Sequence, residues 1–267
     1  KGFLKGLLSR RCIVIGGPLI KYNNDNNKEI ADKLLHELIN KVKKRSIYIE
    51  FRNLFNTSDF KEIFRKNEFD YLEHLNYFIK IVDPEENFDK LSENRKRQIK
   101  KSIKLGTRII EANNINEIKE FYEILRKLYK KKVKKPLPGL IFFKKFFLSK
   151  TLGKYFFIKK DGKIIGGIMC PVFKETIYEW YLCGLDSVYK ELAPSVMATW
   201  APIEYAAKNG IKYFDFMGAG SPGSDYGVRE FKSRFGGELV EYGRFLRVNN
   251  KFMYFVGKLG IKIIKLI

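Results

Sequence analysis

The chain has 267 residues, 45% hydrophobic and 15% aromatic, enough apolar material for one large core or two modest ones. Charged residues make up 31%, and no apolar run approaches the ~20 residues that cross a bilayer, which excludes disorder, collagen-like repeats and a membrane-spanning helix. Lys and Arg number 52 against 30 Asp and Glu, a formal net charge of +22 that favours phosphate-bearing partners, although a lysine-rich composition accounts for part of the excess.

The three cysteines, Cys12, Cys170 and Cys183, are odd in number, far apart and form no CxxC, so neither a disulfide framework nor a zinc site is expected and the setting reads as reducing. The two histidines, His36 and His74, stand singly and read as packing or surface residues, so no metal is expected. The opening KGFLKGLL lacks an initiator Met and a small-residue cleavage pattern. It reads as a trimmed start rather than a signal peptide, with structure expected upstream.

The first element is an amphipathic helix over Lys28 to Lys44, where Ile30, Leu34, Leu35, Leu38 and Val42 fall at helical spacing. A strand over Ser46 to Phe51, a short helix DFKEIFRK and strand material FDYLEHLNYFIKIV follow. Next come a basic helix from Leu91 to Gly106, a second helix INEIKEFYEILRKLYKKKV and the Pro-bearing segment Lys134 to Gly139. A hairpin turned at Asp161-Gly162 and the strand TIYEWYLCGL complete a β-meander.

Helix, strand, short helix and strands then return in SVMATWAPIEYAAKNG, IKYFDFMG, VREFKSRFGG and ELVEYGRFLRV, so the chain contains a duplicated unit. Phe60-Lys61 with Phe64 is matched by Phe231-Lys232 with Phe235. The first copy passes from strand to helix through NLFNTS, whereas the second carries a Gly- and Pro-bearing loop from Gly218 to Gly227. Such a loop at a strand end lets backbone amides approach a ligand, which marks the second copy as the working one. The reading is an α/β (α+β) protein of two related domains, with the break near Pro84 to Asp89. The first covers 1–88, is truncated at its N-terminus and is completed by 246–267; the second covers 89–245 and carries the active site.

Gly17-Pro18 after an early strand, the basic run Asn94 to Lys101, Tyr213 to Gly218 and above all Tyr226-Gly227-Val228-Arg229-Glu230-Phe231-Lys232-Ser233-Arg234-Phe235-Gly236-Gly237 resemble the FemA/FemB/FemX peptidyltransferases, which build peptidoglycan cross-bridges. The resemblance implies two acetyltransferase-like (GNAT) domains. It further implies transfer of an aminoacyl group from charged tRNA to an amine of a lipid-linked or nucleotide-linked muramyl peptide, in the cytoplasm, with aminoacyl-tRNA as donor substrate and no cofactor. No helical coiled-coil arm of the kind some members insert is visible.

An amine attacking an activated ester builds negative charge on the carbonyl oxygen, which needs a fixed positive charge or amide donors. By resemblance Lys232 is the catalytic residue that stabilises this transition state; the alternative is a solvated helix lysine. Phe231 reads as half core, half pocket wall. Arg229 and Arg234 each read equally as an acceptor-gripping guanidinium or a surface arginine. Asp215 reads as a loop brace more than a proton acceptor, and Tyr226 as a substrate hydrogen-bonder or a turn-closing phenol. Arg95, in the basic helix, and Lys135, in the cluster Lys130 to Lys135, are candidates for phosphate contact, against a solvated face for each. The C-terminal KFMYFVGKLGIKIIKLI suits a packed helix, the favoured reading, or a peripheral contact with the inner face of the membrane.

Two other functions compete. A CoA-dependent N-acyltransferase would bind pyrophosphate at a Gly-rich helix opening, but CGLDSVYKELAPSV lacks the expected glycines. A non-catalytic RNA-binding module explains the charge and leaves the loop and Phe-Lys motif unused.

Overall fold

The computed structural model describes residues 10–20, 26–223 and 226–266, residues 261–266 by backbone alone. The opening KGFLKGLL and, within the Gly-rich loop, Ser224-Asp225 lie outside the described residues. The chain divides into two compact units, one of Lys1–Leu75, Gly220–Ser224 and Glu241–Ile267, the other of Asn76–Ala219 and Asp225–Val240.

The smaller unit opens with β1 (Cys12–Ile15), α1 (Asn27–Val42), β2 (Tyr48–Arg52), α2 (Lys61–Lys66) and β3 (Asp70–Leu72). Helix α1 buries Ala31, Leu35 and Ile39, an i, i+4 stripe, while Leu34 is exposed. The buried face is therefore rotated from the one expected, because small Ala31 allows close approach where a bulkier Ile30 was expected to pack. Phe51, Phe64, Phe69 and Phe245 form the aromatic centre of this unit, Phe64 and Phe245 stacking at 3.8 Å.

The larger unit contains β4 (Leu75–Lys80), α3 (Pro84–Asp89), α4 (Glu93–Lys104), β5 (Arg108–Glu111), α5 (Ile115–Leu128), α6 (Leu140–Leu148), β6 (Gly153–Lys160) and β7 (Lys163–Phe173). It continues through β8 (Thr176–Tyr178), β9 (Tyr181–Gly184), α7 (Pro194–Lys208), β10 (Tyr213–Asp215), α8 (Gly227–Ser233) and β11 (Glu238–Glu241). The chain then returns to the smaller unit through β12 (Arg244–Val248) and α9 (Lys251–Leu266). Asp83 and Asn114 side chains cap α3 and α5 by accepting from free first-turn amides. Helix α7 is apolar on nearly every side and packs on β6, β7 and β9, as a core helix should.

The sheet of the smaller unit runs β1-β2-β12-β3, and that of the larger runs β11-β4-β10-β8-β7-β6-β5 with β9 also on β7. Strand β12 lies between β2 and β3, and β4 lies between β10 and β11. Each copy of the repeat thus gives its last strand to the other unit's sheet. The division falls at Leu75/Asn76 and Val240/Glu241, where the sequence placed it near 88 and 245. Antiparallel pairing of β4 with β10, Ile79 opposite Phe214, draws residues 76–88 into the larger unit, while β12 pairs with β2, Phe245 opposite Phe51.

Candidate active site

Strands β8 and β9 are successive parts of one path that forks. Val172 and Phe173 of β7 pair with β8, and Gly166 to Met169 pair with β9. On its other side β8 runs parallel to β10. At the fork the Glu179 amide donates to the Asp215 carbonyl at 2.9 Å, and the next amide, Trp180, donates to Met169 at 3.1 Å. Beyond that point the path follows β7 alone, and the chain after Asp215 turns away, Phe216 donating to Tyr77.

The Glu179 side chain at this fork forms an ion pair with Lys232 of α8, 2.8 Å from Oε1 to Nζ, and both side chains are less than 10% exposed. The ammonium also donates to the carbonyls of Phe216, at 2.6 Å, and Gly218, at 3.0 Å. A primary ammonium has three donors, so Lys232 is saturated by protein acceptors, which offsets the cost of burying its charge. It is not the solvated helix lysine of the alternative reading. Glu179 Oε2 is buried and has no hydrogen-bond partner among the described residues.

Asp215 and Asn76 hold the same turn from the other side. Asp215 Oδ1 accepts from the Met217 amide at 2.6 Å and from Asn76 Nδ2 at 2.7 Å, and the Gly218 amide donates to Asn76 Oδ1 at 2.7 Å. The turn needs this support because Met217 lies at φ 59° and Gly218 at φ 127°, a region unfavourable for a side chain such as Met. Burial pushes the Asp215 carboxyl above its ordinary range, against the opposing hydrogen bonds from Asn76 and Met217 and the charge of Lys232. Asp215 thus ties the Met217 amide and the Asn76 side chain together at this turn.

Arg95 of α4 is buried, its guanidinium 4.5 Å above the Phe231 ring and 5.3 Å from that of Phe235, with Nη1 donating to Gln98 at 2.7 Å. Burial, with the charge of Arg234, lowers its pKa to about 10. A solvated face is excluded for this residue; the basic helix turns its arginine inward onto α8. Phe231 is half-buried beneath it, 5.3 Å from Phe235.

The remaining candidates lie at the margins. Tyr226 is exposed just before α8, and its carbonyl accepts from the Arg229 amide. Arg229 Nε donates to the Ala219 carbonyl at 2.9 Å, tying α8 to the Gly-rich loop. Arg234 forms an ion pair with Glu230 on its own helix, and its carbonyl accepts from Ser92 at 3.0 Å. Lys135 is exposed in the segment between α5 and α6, outside the buried group.

The N-terminus of α7 follows β9. The Asp186 carboxylate accepts from the Ser195 amide at 3.1 Å and from the Ser195 hydroxyl, and a Cβ on Gly184 would meet Ser195. A protein carboxylate thus satisfies the helix end. The cysteines are free thiols, Cys170 and Cys183 buried, and no group of three or more His, Cys, Asp or Glu among the described residues is arranged to hold a metal.

A forked sheet with α7 at the fork and α8 beyond it is matched by a family profile described as acetyltransferase (GNAT) domain over residues 90–233. The chain belongs to that family. FemA aminoacyltransferases of Staphylococcus epidermidis and Staphylococcus aureus are similar to it, 34% and 32% identical over 85 residues, which is 30% of this chain and 20% of each relative. The match therefore spans about a fifth of those relatives' length. Among solved structures, FemX superposes with a TM-score of 0.70 at 14% identity, over 92% of this chain and 82% of that one. L-PGS from Bacillus licheniformis superposes at 0.63 and 13% identity, over 94% and 83%. These likenesses establish a GNAT-like fold.

The sequence missed Glu179, inside the GNAT match, and Asn76, which precedes it. Both carried a signal: each is a polar residue inside an aromatic, β-branched strand, TIYEWYL and HLNYFIK, where such a side chain is buried only with a partner.

Proposed function

We propose that the protein is a FemAB-type aminoacyltransferase, moving an aminoacyl group from charged tRNA to an amine of a peptidoglycan precursor and forming an amide. The buried Lys232–Glu179 pair at the strand fork, with one carboxylate oxygen unpartnered, carries the reading. An amine attacking the ester carbonyl must lose a proton, and the carbonyl oxygen gains negative charge. Glu179 Oε2 is the acceptor for that proton. Lys232 is the positive charge for the oxyanion, exchanging its longest bond, to the Gly218 carbonyl, for the new oxygen. As the tetrahedral intermediate collapses, the C–O bond to the tRNA ribose breaks and the leaving oxygen takes the proton from Glu179.

Similarity to FemA favours an amine of a cell-wall peptide as acceptor, and the net charge of +22 suits a tRNA donor held by its phosphates. Tyr226, Arg229, Arg234, Phe231, Arg95 and Lys135 are the proposed substrate contacts, Phe231 of α8 and the Arg95 guanidinium packed on its ring as a wall and the others from exposed or half-exposed positions. The work is assigned to the cytoplasm, where charged tRNA is made.

A CoA-dependent N-acyltransferase is the rival, and Asp186 speaks against it. A pyrophosphate at the start of α7 would compete with a carboxylate already bonded to Ser195. The test supplies purified protein with labelled aminoacyl-tRNA or acetyl-CoA and a muramyl pentapeptide. Label is expected to move from tRNA only; turnover with acetyl-CoA alone overturns the proposal. Glu179→Gln is expected to lower transfer at least ~100-fold with tRNA binding retained.

A further inference from the structure

We propose that the outer face of α9 is a docking surface for an anionic lipid bilayer. Helix α9 (Lys251–Leu266) contains Lys251, Lys258, Lys262 and Lys265 and no acidic residue. Its inner face is occupied: Tyr254 meets Tyr48 edge to face with ring centroids 5.4 Å apart, and Met253, Val256, Gly257 and Gly260 are half-buried. The packing favoured from sequence is therefore present, and it leaves a second apolar face uncovered. Phe252 is 78% exposed, Phe255 65% and Leu259 50%.

At ~100° per residue those three side chains fall within an arc of about 60°. Lys251 and Lys258 are exposed along one flank of that arc. One exposed ring is ordinary on a protein surface; two rings and a leucine aligned beside a row of lysines form a patch with a direction.

Charge decides the occupant. A second copy of the chain would bring lysines against lysines, because α9 offers no carboxylate to meet them and the whole chain carries +22. An anionic headgroup layer neutralises the lysine flank while the two rings and Leu259 enter the interface, the arrangement of a helix lying in the membrane plane. No helix among the described residues is long and apolar enough to cross a membrane, so the contact is peripheral. Lipid docking does not rest on the transfer chemistry, and its test does not use it.

The full chain is mixed with vesicles of phosphatidylglycerol and phosphatidylcholine, or of phosphatidylcholine alone, and the bound fraction is read by flotation. Binding is expected on the anionic vesicles only and weakens as salt is raised. Phe252→Ser/Phe255→Ser and, separately, Lys251→Glu/Lys258→Glu are each expected to reduce partitioning about tenfold or more. Lys41→Glu/Lys44→Glu makes the same charge change at the end of α1 and in the turn that follows it, and is expected to stay within about twofold of wild type. Equal binding by the phenylalanine variant, equal loss in the α1 variant, or equal binding to neutral vesicles overturns the proposal. So does a wild-type dimer, seen by size-exclusion chromatography, that the phenylalanine variant converts to a monomer without vesicle binding in either. The substituted side chains are exposed, so the thermal midpoint should hold; should the phenylalanine variant unfold, the lysine pairs still decide between the outcomes.

Discussion

The two copies of the repeat place the same short motif in opposite surroundings. Phe64 and Phe235 are both fully buried and anchor α2 and α8 alike. Lys61, three residues before Phe64, is exposed with its ammonium 3.9 Å above the Tyr71 ring, whereas Lys232, three before Phe235, is buried against Glu179 and two carbonyls. A Phe-Lys pair therefore does not by itself make a site. The second copy adds a turn after β10 that offers two carbonyls and a forked strand that offers a carboxylate.

The largest expected effect separates the two lysines. Lys232→Met leaves Glu179 and two carbonyls without their cation and should cost ~3–5 kcal/mol in urea unfolding and abolish transfer. Lys61→Met should cost under ~1 kcal/mol, the worth of an exposed cation–π contact. Adding Glu179→Leu to Lys232→Met should recover most of the stability and none of the transfer. Equal stability of both single variants would mean that the buried group does not hold Lys232.

A smaller contrast lies in the two strand-to-helix connections. Asn76→Ala removes one buried and one part-buried hydrogen bond from the turn after β10 and should cost ~2–3 kcal/mol, while Asn53→Ala loses one bond to the Tyr242 carbonyl and should cost ~1 kcal/mol. The long helices differ in their caps. Asp186→Ala should destabilise by ~1 kcal/mol through loss of the Ser195 bonds, whereas Asn26→Ala should have almost no effect, since Asn26 makes no side-chain cap bond on α1. Chemical denaturation of the four variants checks both contrasts.

The smallest expected effect is a difference in slope with pH. Burial pushes the Glu50 carboxyl of β2 up, but Arg52 and Arg244 outweigh it and leave its pKa below the ordinary 4.5. Its contribution is present above pH 4.5 and is lost as pH falls through the folded value. Asp215 is shifted the other way from 3.8, so the folded state holds its proton more tightly and stability from this group declines as pH rises through that window. Relative to wild type, Glu50→Gln should lose less stability as pH falls, and Asp215→Asn should improve as pH rises above 3.8. Parallel slopes for the two variants in urea midpoints across acidic pH would remove the contrast.

Much of the fold was legible because its causes are local. Apolar spacing marks α1, the Asp161-Gly162 turn marks the β6–β7 hairpin, and the repeated Phe-Lys motif marks α2 and α8. The Gly-rich loop pointed to the second copy, and Lys232 stood out by its place in the motif. What the sequence alone did not determine is which strand pairs with which. The return of β4 beside β10 and of β12 beside β2 depends on edges left open by elements far away in the chain, and neighbouring residues carry no record of it. The site follows from that pairing: Lys232 is buried because Phe216, Gly218 and Glu179 arrive from other segments to satisfy its three donors. Composition and periodicity determine that a lysine sits on a short helix; only the tertiary arrangement supplies the acceptors that let a charged amine stay out of water.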